Sequence, residues 1–179
     1  MQGLVKRRGG KKSGATALEF ALIAPIFFTL MFAIIEAGAV YIGEAWLQYA
    51  VSDVGRRVRT GEVQIANTTE TQFRQMICSR LSPFLPCNAN LSIDVDAYSD
   101  FSAANMAPPL DANGNFDPTK IHYDPGDPCE VVIVRAYYKW TVATPVMSVF
   151  LVNNGNDKHL LASAAAMRNE PYSATVVGC

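Results

Sequence analysis

Residues 14 to 35, GATALEFALIAPIFFTLMFAII, constrain this chain more than any other stretch, because from Ala15 to Ile35 they contain one ionisable side chain, Glu19. At the helical rise of about 1.5 Å per residue, such a run crosses the roughly 30 Å of a hydrocarbon core. It therefore reads as a membrane helix. Lys6, Arg7, Arg8, Lys11 and Lys12 precede it with no acid among them, a bias that keeps an N-terminus cytoplasmic and sends the chain beyond the helix outward. Glu19 is the anomaly, since a carboxylate near the centre of a bilayer costs about 2.5 to 3.5 kcal/mol.

A cut after Gly14 would supply a partner for that charge. The new α-amine on Ala15 would lie four residues before Glu19, and the two could pair between neighbouring subunits. The basic leader followed by Gly14-Ala15-Thr16-Ala17-Leu18-Glu19-Phe20 resembles the processing site of type IV pilin-like proteins. Within residues 7 to 50 the wording ALEFALIAP, residues 17 to 25, is similar to the TadE/TadG-type pseudopilins of the Tad (tight adherence) pilus machinery. The resemblance implies a minor pilin or pseudopilin, cleaved between Gly14 and Ala15 by a prepilin peptidase. Glu19 and Phe20 would make the assembly contact and Pro25 would kink the helix. Its implied partners are other Tad pilins and pseudopilins and the pilus assembly platform, and its implied roles are pilus initiation or assembly and surface adhesion. Phe20 stands where the major pilins of this system carry tyrosine, and 179 residues far exceed those short subunits. Both departures favour a minor, domain-bearing member.

Two other classes compete. Ala37-Gly38-Ala39 satisfies the A-x-A pattern of a secretory signal, which would release a globular protein beginning at Val40 but leave Glu19 unexplained. An uncleaved chain would instead be a single-pass membrane-anchored envelope protein that binds a ligand and does not polymerise.

The predicted organisation is a leader over 1–14, a transmembrane and stem helix over 15–60, and an extracytoplasmic α+β domain over 61–179. This is a pilin-like plan in which a long helix precedes a small antiparallel sheet and a second helix. The expected location is the bacterial inner membrane, with the domain periplasmic or extracellular. Net charge is −1, from 15 Lys and Arg against 16 Asp and Glu. Five of the bases lie in the leader, so the rest of the chain is acidic, which argues against nucleic acid as a partner.

Past Ile35, Val40, Leu47, Val51, Val54 and Val58 continue a helical stripe, with Gly61 as its stop. Tyr41, Trp46 and Tyr49 are placed to mark the outer membrane interface. Asn67-Thr68-Thr69-Glu70 reads as a cap, opening a helix over about 69–81 with Phe73, Met76, Ile77 and Leu81 on one face. Leu91 to Tyr98 alternates apolar and polar residues as a half-buried strand with a solvated acidic face. Residues 130–142, EVVIVRAYYKWTV, read as the central strand, and His159 to Arg168 as the last. Val146 to Val152 reads as a short helix or loop packed on the sheet.

Cys78, Cys87, Cys129 and Cys179 all lie on the predicted outer side, where an oxidising compartment permits two disulfides in three possible pairings. We favour Cys78 with Cys87, which closes a short loop, leaving Cys129 with Cys179. Residues 99–128 are rich in Pro, Asp and Asn and read as a long loop, functional or mobile. Within it Asp111, Asn113, Asn115 and Asp117 alternate as in a calcium loop, but the glycine and the closing acid are misplaced for an EF-hand. An Asn-Gly turn is preferred, with no metal and no cofactor. Asp94 and Asp96 share a strand face, yet no nucleophile, phosphate-binding loop or metal motif accompanies them, so no enzymatic activity is expected.

Overall fold

The computed structural model describes residues 12–81, 85–154, 158–172 and Cys179. The basic residues up to Lys11 lie outside them. A single helix, α1, runs over Lys12–Arg59 and is followed by one turn, α2, over Glu62–Ile65. Helix α3 covers Glu70–Cys78, and a last short helix, α4, covers Pro145–Leu151. Strands β1 (Leu91–Tyr98), β2 (Val131–Thr141) and β3 (Lys158–Arg168) form one antiparallel sheet in the order β1-β2-β3.

Why α1 ends where it does is visible in its chemistry. Arg56, Arg57 and Arg59 occupy the last turn, where positive charge complements the carbonyl end of the helix dipole. Gly61 then takes φ +79°, a left-handed conformation that glycine adopts without a Cβ penalty. Thr69 begins α3 with a reciprocal cap: its hydroxyl accepts from the Gln72 N–H while the Gln72 side chain accepts from the Thr69 N–H at 2.9 Å. Such a box satisfies two otherwise orphaned donors.

The core forms where the upper half of α1 lies across the sheet. Val40, Leu47, Val51, Val54 and Val58 are all buried, with Ala50 beside them, against Val132, Val134, Ala136, Tyr138 and Leu161 of the sheet and Phe73 and Ile77 of α3. Small residues set the close approach. A side chain at Gly43 would meet Leu161, Leu85 and Trp140, and one at Gly55 would press into Met167. An ion pair between Asp53 and Arg80, 2.7 Å long, ties α1 to the chain just beyond α3.

The sheet's second face is covered as well, contrary to the solvated acidic face expected from the alternation in β1. Val131, Ile133, Arg135 and Tyr137 are buried on that side. The 99–128 segment supplies cover: the Phe116 ring lies tilted against Tyr137 at 4.9 Å between centroids, and residues 122–124 hydrogen-bond along β1 through Val95. That segment is thus built into the domain. Its Asn-Gly turn is formed by the Asp111 carboxylate, which accepts from the N–H groups of Asn113 and Asn115 at 2.8 Å each, while Asp117 accepts from the Thr119 N–H at 3.0 Å.

Cys78 lies 5.5 Å from Cys87 between Cα atoms and Cys129 lies 5.4 Å from Cys179, and both pairs are disulfides. The second bridge joins residues 50 apart in sequence, so in the chain-entropy picture it contributes about 4 kcal/mol, against about 2.6 kcal/mol for the short loop. The same C-terminal region crosses the end of α1. Glu170 N–H donates to the Arg59 carbonyl at 2.8 Å, and the Tyr172 hydroxyl donates to the Gly126 carbonyl at 3.1 Å.

Tyr172 also packs directly over Gly61, where any Cβ would overlap its ring. Gly61→Ala therefore combines a strained backbone with a steric clash, and should cost about 1 to 3 kcal/mol in denaturant unfolding followed by tryptophan fluorescence. An unchanged midpoint would show that the α1 terminus is free to rearrange.

Candidate functional site: the two halves of the long helix

Helix α1 has two environments along one axis. From Gly14 to Ile35 its large apolar side chains are exposed, Leu18, Phe20, Leu22, Ile23, Ile26, Phe27, Leu30 and Ile34 among them. No part of the most apolar window of this segment is buried within the protein, although it is long and apolar enough to cross a membrane. From Glu36 onward one face is buried and the opposite one is not. Tyr41, Ile42, Trp46 and Tyr49 form the outer face, with the Trp46 and Tyr49 rings edge to face at 6.1 Å.

Within the lower half, Gly14, Ala15, Glu19 and Phe20 are all solvent-exposed on the helix. Glu19 has no ion-pair partner among the described residues. The helix continues through Pro25. Pro25 lacks the backbone donor that a turn would normally use, and the Thr29 hydroxyl donates to the Pro25 carbonyl at 2.7 Å.

Sequence reasoning missed Glu36. It is only 8 % exposed, although it directly follows the apolar run. Its carboxylate accepts hydrogen bonds from the backbone N–H groups of Ala143 and Thr144, the latter at 2.8 Å. These residues link β2 to α4. A signal was present: Glu36 stands four residues before Val40, on the same stripe that runs through Leu47 and Val51. Extending that stripe back by one step places a carboxylate on the packed face of the helix, where it must find donors.

Asp94 and Asp96 gather more around them than their strand spacing implied. Asp94 is 2 % exposed and pairs with the buried Arg135 guanidinium at 2.9 Å, and Arg135 also pairs with Asp96. The His122 backbone N–H donates to Asp94 at 2.8 Å. Burial pushes the Asp94 carboxyl up from its ordinary value, while the His122 N–H and the Arg135 charge act in the opposite sense. Asp94, Asp96 and His122 bring ligand atoms within 4.8 Å of one another. The guanidinium already provides the cation between the two carboxylates, so Asp94 and Arg135 form a buried ion pair, extended outward to Asp96, that holds β1, β2 and the 122 loop together. Removing Asp94 or Arg135 costs about 3 to 5 kcal/mol because it strands the other charge in the interior.

The architecture is α+β: one long apolar N-terminal helix, long enough for a single-pass membrane anchor, carrying a small antiparallel sheet. Residues 14–56 match the model of the TadE-like protein family. The match covers the exposed apolar segment and nearly all of the buried stripe, and the three-stranded sheet lies outside it. No curated protein and no solved structure gives a significant match to the chain.

Because Glu36 joins the top of the apolar segment to the sheet domain, its removal should loosen that joint. Glu36→Ala should lower unfolding free energy in detergent by about 1.5 to 3 kcal/mol, the range for hydrogen bonds to a charged group. Glu36→Gln retains one acceptor and should lose less. Equal losses for the two variants would mean that the carboxylate charge, rather than its acceptor geometry, holds the turn.

Proposed function

We propose that this chain is a minor pilin or pseudopilin of a Tad-type pilus, cleaved after Gly14 by a prepilin peptidase and assembled through its N-terminal helix. The observation that carries the reading is the coincidence of the TadE-like match, residues 14–56, with a helix whose lower half is wholly unburied and whose upper half is built into a folded domain. A helix of that kind serves first as a membrane anchor and then as a stem packed among other stems.

The exchange of surroundings is energetically mild. Lipid tails and a bundle of apolar helices solvate Leu, Ile and Phe similarly, so register comes from small side chains and the few polar groups. Glu19 is the polar group in position to set it, by pairing with the α-amine of Ala15 in a neighbouring subunit. The exposed Tyr41, Ile42, Trp46 and Tyr49 extend the contact surface above the membrane. The basic leader sets the N-terminus in the cytoplasm and the domain outside, where an oxidising compartment suits its two disulfides. In this reading the domain acts in pilus initiation or assembly and in surface adhesion, with other Tad pilins and the assembly platform as partners.

Intact-mass analysis of the protein from its native membrane tests the cleavage: the mature chain should begin at Ala15. Retention of residues 1–14, or a start at Val40, would exclude this reading. Glu19→Ala should leave membrane insertion intact while abolishing co-fractionation with partner pilins, and normal assembly of that variant would remove the pairing mechanism.

A further inference from the structure

Helix α4 is apolar on the side facing away from the protein. Leu151 packs inward against the core, whereas Val149 and Phe150 are 81 % and 77 % exposed and Val146 joins them on the same face. These three stand at positions i, i+3 and i+4, which a helix places together. The whole element, PVMSVFL, has no charged residue. Contiguous exposed apolar patches mark sites of interaction with a partner or a membrane.

Its height along α1 identifies the covering. Pro145, at the start of α4, lines one shallow groove with Phe32, Ile35, Glu36 and Ala39 of α1. If the apolar run to Ile35 fills the hydrocarbon core, residues 36 to 39 rise about 6 Å beyond it, which is the depth of the headgroup layer on one side of a bilayer. The Glu36 carboxylate fixes that height by holding the N–H groups of Ala143 and Thr144.

We propose that α4 is a second membrane contact: a short interfacial helix whose Val146, Val149 and Phe150 lie in the outer headgroup and upper acyl region beside α1. The proposal rests on the reading of residues 14–35 as a membrane span. Lipid is the occupant because Pro145, where α4 begins, adjoins Phe32 and Ile35 at the upper edge of the apolar surface that α1 presents to the bilayer. A surface helix of this kind buries its apolar face a few ångströms into the interface, about 5 to 10 Å. Two attachment points, one spanning and one interfacial, would restrict rotation and tilt of the sheet domain about α1. The domain would then present a fixed face to neighbouring subunits.

Photocrosslinking tests this in the full chain. Benzoylphenylalanine is placed in turn at Val149, at Phe28 within the span and at Asn113 on the exposed Asn-Gly turn, and the protein is reconstituted at low density in vesicles of phosphatidylethanolamine and phosphatidylglycerol. Mass spectrometry should find lipid adducts from position 149 in a yield comparable with position 28 and well above position 113. A yield at 149 no higher than at 113, with position 28 still labelled, overturns the interfacial helix and leaves the anchor intact. Chain-to-chain products from 149 in place of lipid adducts also overturn it, assigning the patch to a second copy. Absence of lipid adducts at both 28 and 149 removes the membrane span along with the inference.

Discussion

The packing of one helical stripe against the sheet is the contact on which the rest of the structure depends. Leu47, Val51, Val54 and Val58 are almost completely buried, and each such side chain contributes about 1.5 to 3 kcal/mol by leaving water. Without them the three strands would expose the apolar side of β2 and the inner residues of β3. The upper half of α1 is therefore a core element of the domain, although it is covalently the same helix as the apolar segment below. Whatever holds the lower half also fixes the position of the sheet. Gly43 and Gly55 permit the close approach, and the 129–179 disulfide, with Tyr172 over Gly61, closes the far end.

Polar groups then mark levels along the axis, each with a distinct physical consequence. Glu19 lies in the apolar run without a described ion-pair partner, which makes it the group available for a contact from outside the chain. Glu36, at the top of that run, is satisfied internally by two backbone donors. Asp94 and Arg135 are deepest within the domain and compensate each other's charge. Buried carboxylates with internal partners belong to the fold itself, whereas a carboxylate in an apolar setting needs a partner from elsewhere if lipid surrounds it.

Much of this was legible in the sequence, because periodicity reports burial directly. The 40-47-51-54-58 stripe, the Thr69 cap, the strand over Leu91 to Tyr98 and the β-branched run of β2 each carry their own local signal. Gly61 marks the end of α1 through its conformational freedom. The missed features share one cause: they depend on what a distant segment lies against. The Asp94 face reads as solvated until the 99–128 segment is seen to cover that side of the sheet, where Arg135 is also buried. A segment rich in proline and asparagine shows no periodicity, yet it serves as the second layer of the sheet. Residues 146–152 read as a short helix or loop packed on the sheet, whereas the structure forms a helix beside α1 whose outward face becomes evident only once Leu151 is seen to be the residue turned inward.

The central claim is that membrane segment and domain are one continuous rod, rigid through the level of Glu36. Hydrogen exchange on the full chain in lipid vesicles tests it most directly, since backbone amides report whether a helix opens locally. With residues 14–35 in the bilayer as proposed, amides 36 to 43 would lie above the hydrocarbon core, where lipid no longer shields them from water, and should exchange as slowly as those of the buried stripe at 47 to 58. A fast-exchanging window at 36 to 43 between two protected stretches would contradict the account, dividing α1 into an anchor and an independent domain joined by a hinge.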